Sequence, residues 1–190
     1  MKTRTCALIG GVIVAALCGC TATPENPPST APSMTGVPAT SSSPSTASAA
    51  PSDAAERDAA LAAYDRFWDA KVRSQADPSK DPPKALRSNA IDKALADAQA
   101  TVLLLRRNGV EMRGAPVHDA EVTRVEAGSR PEVFITDCLD STDWLPVVAA
   151  TGESALAPGQ SPRVIVESVA TVYDGRWVIK RSTAYRDRSC

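Results

Sequence analysis

The sequence predicts an α+β domain in which N-terminal helices pack on one face of a curved antiparallel sheet. Three observations lead to this class. Apolar residues recur at helical intervals up to residue 107, they alternate with polar residues after Gly109, and Asp174-Gly175 separates two strand-like runs near the end. Helices that come before the strands, rather than between them, are typical of an α+β fold.

Two long helices are predicted before Gly109. The first begins at a capping-box-like segment, Asp53 to Glu56, and carries an apolar stripe of Ala60, Leu61, Tyr64, Phe67, Trp68 and Val72. It should end before Asp77-Pro78, because the residue before a proline disfavours helical backbone. Pro82-Pro83 can open a short helical turn, and a second long helix runs from about residue 90 to 107, with Asn108-Gly109 as its C-cap.

The strands are predicted in the second half of the chain. They contain Val117 to Val125, Val133 to Cys138, and Trp144 to Ala149. Val164 to Tyr173 alternates with a slip near Ser168, which indicates a β-bulge. Asp174-Gly175 favours a type I′ hairpin turn, and the return strand carries Trp177, Ile179 and Tyr185.

The first twenty residues have the layout of an export signal. Lys2 and Arg4 precede an apolar run, Ala7 to Leu17, which is too short to cross a bilayer. The Gly19-Cys20 pair at its end resembles the lipobox of bacterial lipoproteins. That resemblance implies that residues 1–19 are a signal peptide and that Cys20 becomes an acylated N-terminus. It also implies an anchor in membrane lipid, on the outer face of the cytoplasmic membrane. An uncleaved signal anchor is the alternative.

Residues 20–52 differ in composition from the remainder of the chain. They are almost entirely Pro, Ser, Thr, Ala and Gly, with Glu25 as the one charged residue. Such a segment buries too little apolar surface to offset its ordering entropy, so we predict a disordered tether. The folded domain is expected to span residues 53–190.

The cysteine count indicates an exported protein with a disulfide, and the net charge argues against a nucleic-acid partner. Once Cys6, Cys18 and Cys20 are removed or lipidated, Cys138 and Cys190 are left, and an even pair in an exported protein predicts a disulfide. Two free thiols are the alternative. Loss of residues 1–19 removes two of the 21 basic residues and none of the 22 acidic ones, which leaves a net charge of −3. A nucleic-acid binder would show a basic surplus instead.

The domain resembles the NTF2-like/SnoaL-like superfamily, and more narrowly small secreted lipoproteins of high-GC Gram-positive bacteria. The resemblance is carried by Ala63-Tyr64 through Trp68, Asp137-Cys138-x-Asp140-Ser141-Thr142 with Trp144, the hairpin from Val172 to Ile179, and the terminal Cys190. It implies a cone with a pocket at its wide end, and it is compatible with a homodimer, because domains of this superfamily often dimerise through the outer face of the sheet. It implies no particular activity.

Several side chains are candidates for a site, each with a plainer alternative. Four aromatic residues could line an apolar pocket or simply form core: Tyr64, Trp68, Trp144 and Trp177. Asp137, Asp140 and Asp143 could bind calcium or supply a base, but their spacing does not fit an EF-hand, and turn chemistry explains such a run. His118 lacks an evident orienting partner, because the adjacent Asp119 would face the other way on a strand. No metal or cofactor site and no catalytic residue is predicted.

Two functions from different classes fit these observations. The first is a non-catalytic module that binds an envelope protein partner or a small apolar ligand. The second is a SnoaL-like isomerase, cyclase or hydrolase acting on a hydrophobic substrate, which would need an ionisable pair inside the pocket. Candidates for that pair are Asp137, Asp140, His118 and Tyr64.

Overall fold

The computed structural model describes residues 51–82 and 84–190. The predictions for the signal peptide, for Cys20 and for nearly all of the tether lie outside these residues. The helices are α1 (Pro51–Ala76), α2 (Lys84–Asn89) and α3 (Asp92–Asn108). The strands are β1 (Val110–Gly114), β2 (Ala120–Glu126), β3 (Glu132–Asp140), β4 (Trp144–Val148), β5 (Arg163–Tyr173) and β6 (Arg176–Tyr185). The predicted α+β class, with helices followed by an antiparallel sheet, is confirmed.

The strands form two separate pairings rather than one continuous meander. A four-stranded antiparallel sheet has the order β2-β3-β5-β6, while β1 pairs with β4 in a two-stranded ribbon. The sequence did not predict β1. The bulge expected near Ser168 lies one residue on, where the β5–β6 register shifts between Val169 and Ala170. Asp174 and Gly175 both have positive φ, at 49° and 71°, as a type I′ turn requires.

The core lies between α1, α3 and the inner face of the larger sheet. Residues of β3 alternate strictly between half-buried and buried, so every second side chain faces the helices. Helix α1 contributes its aromatic side chains, and α3 presents Ala94 and Ala98, whose small side chains let the helix approach closely. Among the described residues, no helix is long and apolar enough to cross a membrane.

Gly114, at the end of β1, occupies a position that only glycine fits. Its φ is 79°, and a Cβ there would overlap the backbone carbonyl oxygen of Asp143. Gly109 has a similar φ of 62° but open space around it. We expect Gly114→Ala to lower the free energy of unfolding by about 3 kcal/mol and Gly109→Ala by about 1 kcal/mol. Urea denaturation measures both, and equal losses would show that the overlap is relieved without cost.

Candidate functional site

The most distinctive chemical feature is a carboxylate buried in the core. Asp137 lies in the middle of β3, between the inward-facing Ile135 and Leu139, and has no solvent exposure. Its Oδ2 accepts a hydrogen bond from the Tyr64 hydroxyl at 2.8 Å and contacts His118 Nδ1 at 2.7 Å. Its Oδ1 accepts one from the Asp119 backbone N–H at 2.8 Å. We call these four groups the Asp137 network.

Three separate parts of the chain build this network. The alternation of β3 turns Asp137 inward, and Tyr64 reaches it from the buried face of α1. His118 stands in the segment before β2, which is fixed by paired backbone hydrogen bonds of 2.9 Å between Val117 and Asp140. A carboxylate among apolar side chains is tolerated only when hydrogen bonds or a counter-charge compensate its lost hydration. The network provides these partners and thereby ties α1 to the sheet.

Tyr64 acts in the network as a hydrogen-bond donor. Its side chain is fully buried. That burial, and then the adjacent charge and hydrogen bond of Asp137, raise the pKa of the Tyr64 hydroxyl far above its usual range. The hydroxyl therefore keeps its proton, and Tyr64 is not a candidate base.

His118 is the one side chain of the network that reaches solvent. Its side chain is 23% exposed, and its ring lies 4.8 Å from that of Trp68 and 5.7 Å from that of Tyr64. A carboxylate only accepts hydrogen bonds, so Nδ1 carries the hydrogen and the Nε2 of a neutral ring carries a lone pair. Within the described part of the chain, Nε2 has no partner and is not a buried atom.

The exposed edge of His118 opens into a cleft of about 290 Å³, here called the His118 cleft. Half of its lining is charged or polar and half is apolar: Asp65, Trp68, Asp69, Val72, Arg73, Ala115, Pro116 and His118. It lies between α1 and the segment that leads into β2. Asp137 and Tyr64 are behind the His118 ring and do not line it.

The four aromatic candidates do not share one pocket. Tyr64 and Trp68 are core residues, and Trp68 contacts Tyr64, Phe67 and Trp144 edge-to-face at ring separations of 6.1, 6.1 and 5.8 Å. Trp177 lies elsewhere, in a second cleft of about 440 Å³ between α1, α2 and the β5–β6 hairpin. The aromatic cluster is thus mainly packing, with one edge of Trp68 at the His118 cleft.

The remaining carboxylates of the Asp-rich segment lie at the end of β3, Asp140, and in the turn that follows it, Asp143. Asp140 accepts hydrogen bonds from the Thr142 hydroxyl at 2.6 Å and the Thr142 backbone N–H at 2.9 Å, and these bonds lower the pKa of its carboxyl group. It points away from the core, unlike Asp137. Among residues 51–82 and 84–190, no group of three or more His, Cys, Asp or Glu side chains could hold a metal ion.

Cys138, the neighbour of Asp137 on the opposite face of β3, forms a disulfide with Cys190. The two Cα atoms are 5.9 Å apart, and the bridge spans 52 residues of sequence. The C-terminal segment also runs along β5, where the Ile165 N–H donates to the Arg188 carbonyl at 3.0 Å. The disulfide therefore holds the chain end against β5 and against β3, the strand that carries Asp137.

Lys71 is a residue of this region that the sequence did not single out. Its Nζ lies 3.7 Å from the centre of the Trp68 ring, one helical turn further along α1. Burial, and then repulsion by Arg186, lower the pKa of Lys71 to about 8, while Asp97 acts in the opposite direction. A Lys three residues after a core Trp was the only signal available in the sequence.

The lowered pKa of Lys71 predicts a specific pH dependence. Between about 8 and the ordinary lysine pKa of 10.5, the unfolded chain binds a proton that the folded chain has released, so folding becomes more favourable as pH rises. We expect wild-type protein to gain stability relative to Lys71→Met between about pH 8 and 9.5. The gain is reduced because Lys71 is partly exposed to solvent, which screens its interactions. Urea titrations at both pH values measure this. The exposed Lys84→Met variant should follow the wild type, and parallel behaviour of Lys71→Met would contradict the prediction.

Comparison with known proteins adds little to this description. No protein-family model and no curated protein matches the chain. Among solved structures, the intermembrane space region of the chloroplast protein ARC6 is similar at a TM-score of 0.44 and 12% sequence identity. The match covers 67% of this chain and 94% of that one. A similarity at this level carries no argument about fold family or function.

Proposed function

We propose that this protein is a lipid-anchored, extracytoplasmic protein whose folded part is an NTF2-like cone that binds a ligand without converting it. The observation that supports a non-catalytic role is the complete burial of Asp137 and Tyr64. Neither side chain has solvent exposure, and three hydrogen-bonding groups already surround the carboxylate. Asp137 and Tyr64 therefore cannot touch a ligand. Their hydrogen bonds join α1, β3 and the segment before β2, which is a structural role.

The ligand would bind at the His118 cleft. The cleft combines the edge of Trp68 with Val72, Ala115 and Pro116, and its charged residues lie on the α1 side. A lining that is half apolar, with its carboxylates and guanidinium group on the α1 side, suits a small, mainly apolar ligand or an apolar side chain of an envelope protein.

A photo-reactive amino acid at Ala115 tests this assignment in intact cells. We expect a discrete adduct from Ala115, and none when the same amino acid replaces Asp174, which is also exposed but at the tip of the β5–β6 hairpin. Val72→Glu, which places a charge in the lining, should remove the adduct. Equal adducts from both positions, or an adduct that survives Val72→Glu, would argue against a specific site.

The anchor makes a separate prediction. Cys20→Ser should abolish acylation, because no thiol remains at the proposed cleavage site, and the protein should move from the detergent-rich to the aqueous phase on Triton X-114 partitioning. Cys18→Ser is the matched control, two residues away, and should partition like the wild type. Loss of acylation in Cys18→Ser, or its retention in Cys20→Ser, would contradict the proposed acceptor.

One observation favours the enzymatic alternative. His118 Nδ1 is held by a carboxylate while Nε2 faces a cleft, which is the arrangement of a general base. A SnoaL-like isomerase, cyclase or hydrolase could use this nitrogen on a hydrophobic substrate. In that case His118→Gln should lower turnover by about 100-fold or more without loss of binding. The binding proposal instead predicts that neither the wild type nor His118→Gln changes the ligand chemically.

A further inference from the structure

The second cleft contains an unbalanced pair of positive charges. Arg66 from α1 and Arg176 from the start of β6 both line it, together with Ser88 and Asn89 from α2, and Trp177. No acidic side chain is among its lining residues. We call it the arginine cleft. It shares no lining residue with the His118 cleft.

Neither guanidinium group has a partner within the described part of the chain. Arg113, Arg163 and Arg188 each lie near a carboxylate, at 3.1, 3.9 and 2.7 Å. Arg66 and Arg176 make no ion pair and no side-chain hydrogen bond with any described residue. Both exposed arginines line the same concave surface, where an oxyanion would accept charge-assisted hydrogen bonds from them.

The other lining residues determine which organic group, attached to the oxyanion, fits the arginine cleft. Trp177 is half-buried and offers a flat apolar surface. On the α1 side of the cleft, the small side chain of Ala62 leaves space for a ligand. The Asn89 amide donates to the Ala85 carbonyl at 2.8 Å, which orients the side chain and leaves its oxygen as an acceptor. Arg176 and Trp177 stand on a strand fixed by pairing with Tyr173 and Val172. The site is therefore held by regular structure.

We propose that the arginine cleft binds a small organic oxyanion, a carboxylate or phosphate ester, whose apolar ring rests on Trp177. Arg66 and Arg176 hold the charged group. This site is separate from the His118 cleft, and the proposal does not depend on what binds there.

The NMR signals of the indole N–H groups provide the test, because the full chain contains only three tryptophans. The ¹⁵N-labelled protein in detergent micelles is titrated with phenyl phosphate, and the Trp177 signal is assigned with Trp177→Phe. We expect a saturable shift of that signal alone. Arg66→Gln and Arg176→Gln should each weaken binding by about tenfold, as for loss of one charge-assisted hydrogen bond. Arg107→Gln, an exposed arginine on α3, should bind like the wild type.

Other outcomes would overturn the proposal. Benzyl alcohol has the ring without the charge and should cause no saturable shift. An equal effect of benzyl alcohol, an equal loss in Arg107→Gln, full binding by both cleft variants, or no shift with phenyl phosphate would each refute oxyanion recognition by this arginine pair. None of these results bears on cross-linking from Ala115, so failure here is distinguishable from failure of the His118 cleft.

Discussion

Replacing Asp137 by alanine should lower the free energy of unfolding by about 3–5 kcal/mol, because removal of one member of a buried charged network leaves the others unpaired. The Tyr64 hydroxyl has no solvent exposure and would lose its acceptor, and so would His118 Nδ1 and the Asp119 backbone N–H. Urea denaturation monitored by circular dichroism measures the loss.

Two comparisons separate this effect from simple truncation. Asp140→Ala removes a carboxylate from the end of the same strand, where it accepts hydrogen bonds from Thr142 and forms an exposed ion pair with Arg163 at 3.9 Å, and should cost less than about 1 kcal/mol. Tyr64→Phe removes only the hydroxyl, at about 1–3 kcal/mol, and should cost much less in an Asp137→Ala background. Similar losses for the two aspartates, or additive effects of Tyr64 and Asp137, would show that the network does not act as a unit.

Loss of the Cys138–Cys190 disulfide should have a comparable effect. Closing a loop between residues 52 apart removes chain entropy from the unfolded state worth about 4 kcal/mol. The bridge also anchors the chain end beside β5 and to Cys138 on the outer face of β3. We therefore expect the Cys138→Ser, Cys190→Ser double variant to unfold at markedly lower urea concentration than the wild type.

The chemical reductant provides the internal control. Incubation with reductant should move the wild-type transition to that of the double variant and leave the double variant itself unchanged. An unchanged wild-type transition, with both thiols then accessible to alkylation, would mean that the bridge adds nothing to stability. Alkylation of both thiols in protein taken from cells without reductant would show that the bridge does not form there.

Local signals account for the elements that the sequence predicted well. The end of α3 at Gly109 depends on one residue with positive φ, and the β5–β6 hairpin depends on Asp174-Gly175, so neither needs knowledge of the rest of the chain. Strand β1 was missed because Val110 and Met112 are its only apolar residues, and two such residues ahead of Gly114 are a weak local signal for a strand. Its formation is determined by pairing with β4, which lies about thirty residues further along the chain.

The candidate site depends on contacts that local reasoning cannot see. Tyr64 and Asp137 are 73 residues apart in sequence, and His118 and Asp137 are 19 apart. Asp119 was the only sequence neighbour that could have oriented His118, whereas the orienting carboxylate comes from the neighbouring strand. That pairing depends on the register of β2 and β3, which an irregularity between Val122 and Arg124 shifts. The unpaired state of Arg66 and Arg176 likewise results only from tertiary placement.

The mass of the bound ligand before and after incubation with the protein tests the central claim most directly. Full-length protein is isolated from its membrane, and the species recovered from wild-type and His118→Gln protein are weighed by native mass spectrometry. A binding domain in which Asp137 and Tyr64 are buried structural groups predicts that wild type retains a ligand and returns it with unchanged mass and connectivity. Conversion of that ligand by wild type, but not by His118→Gln, would contradict the account and establish His118 as a catalytic base.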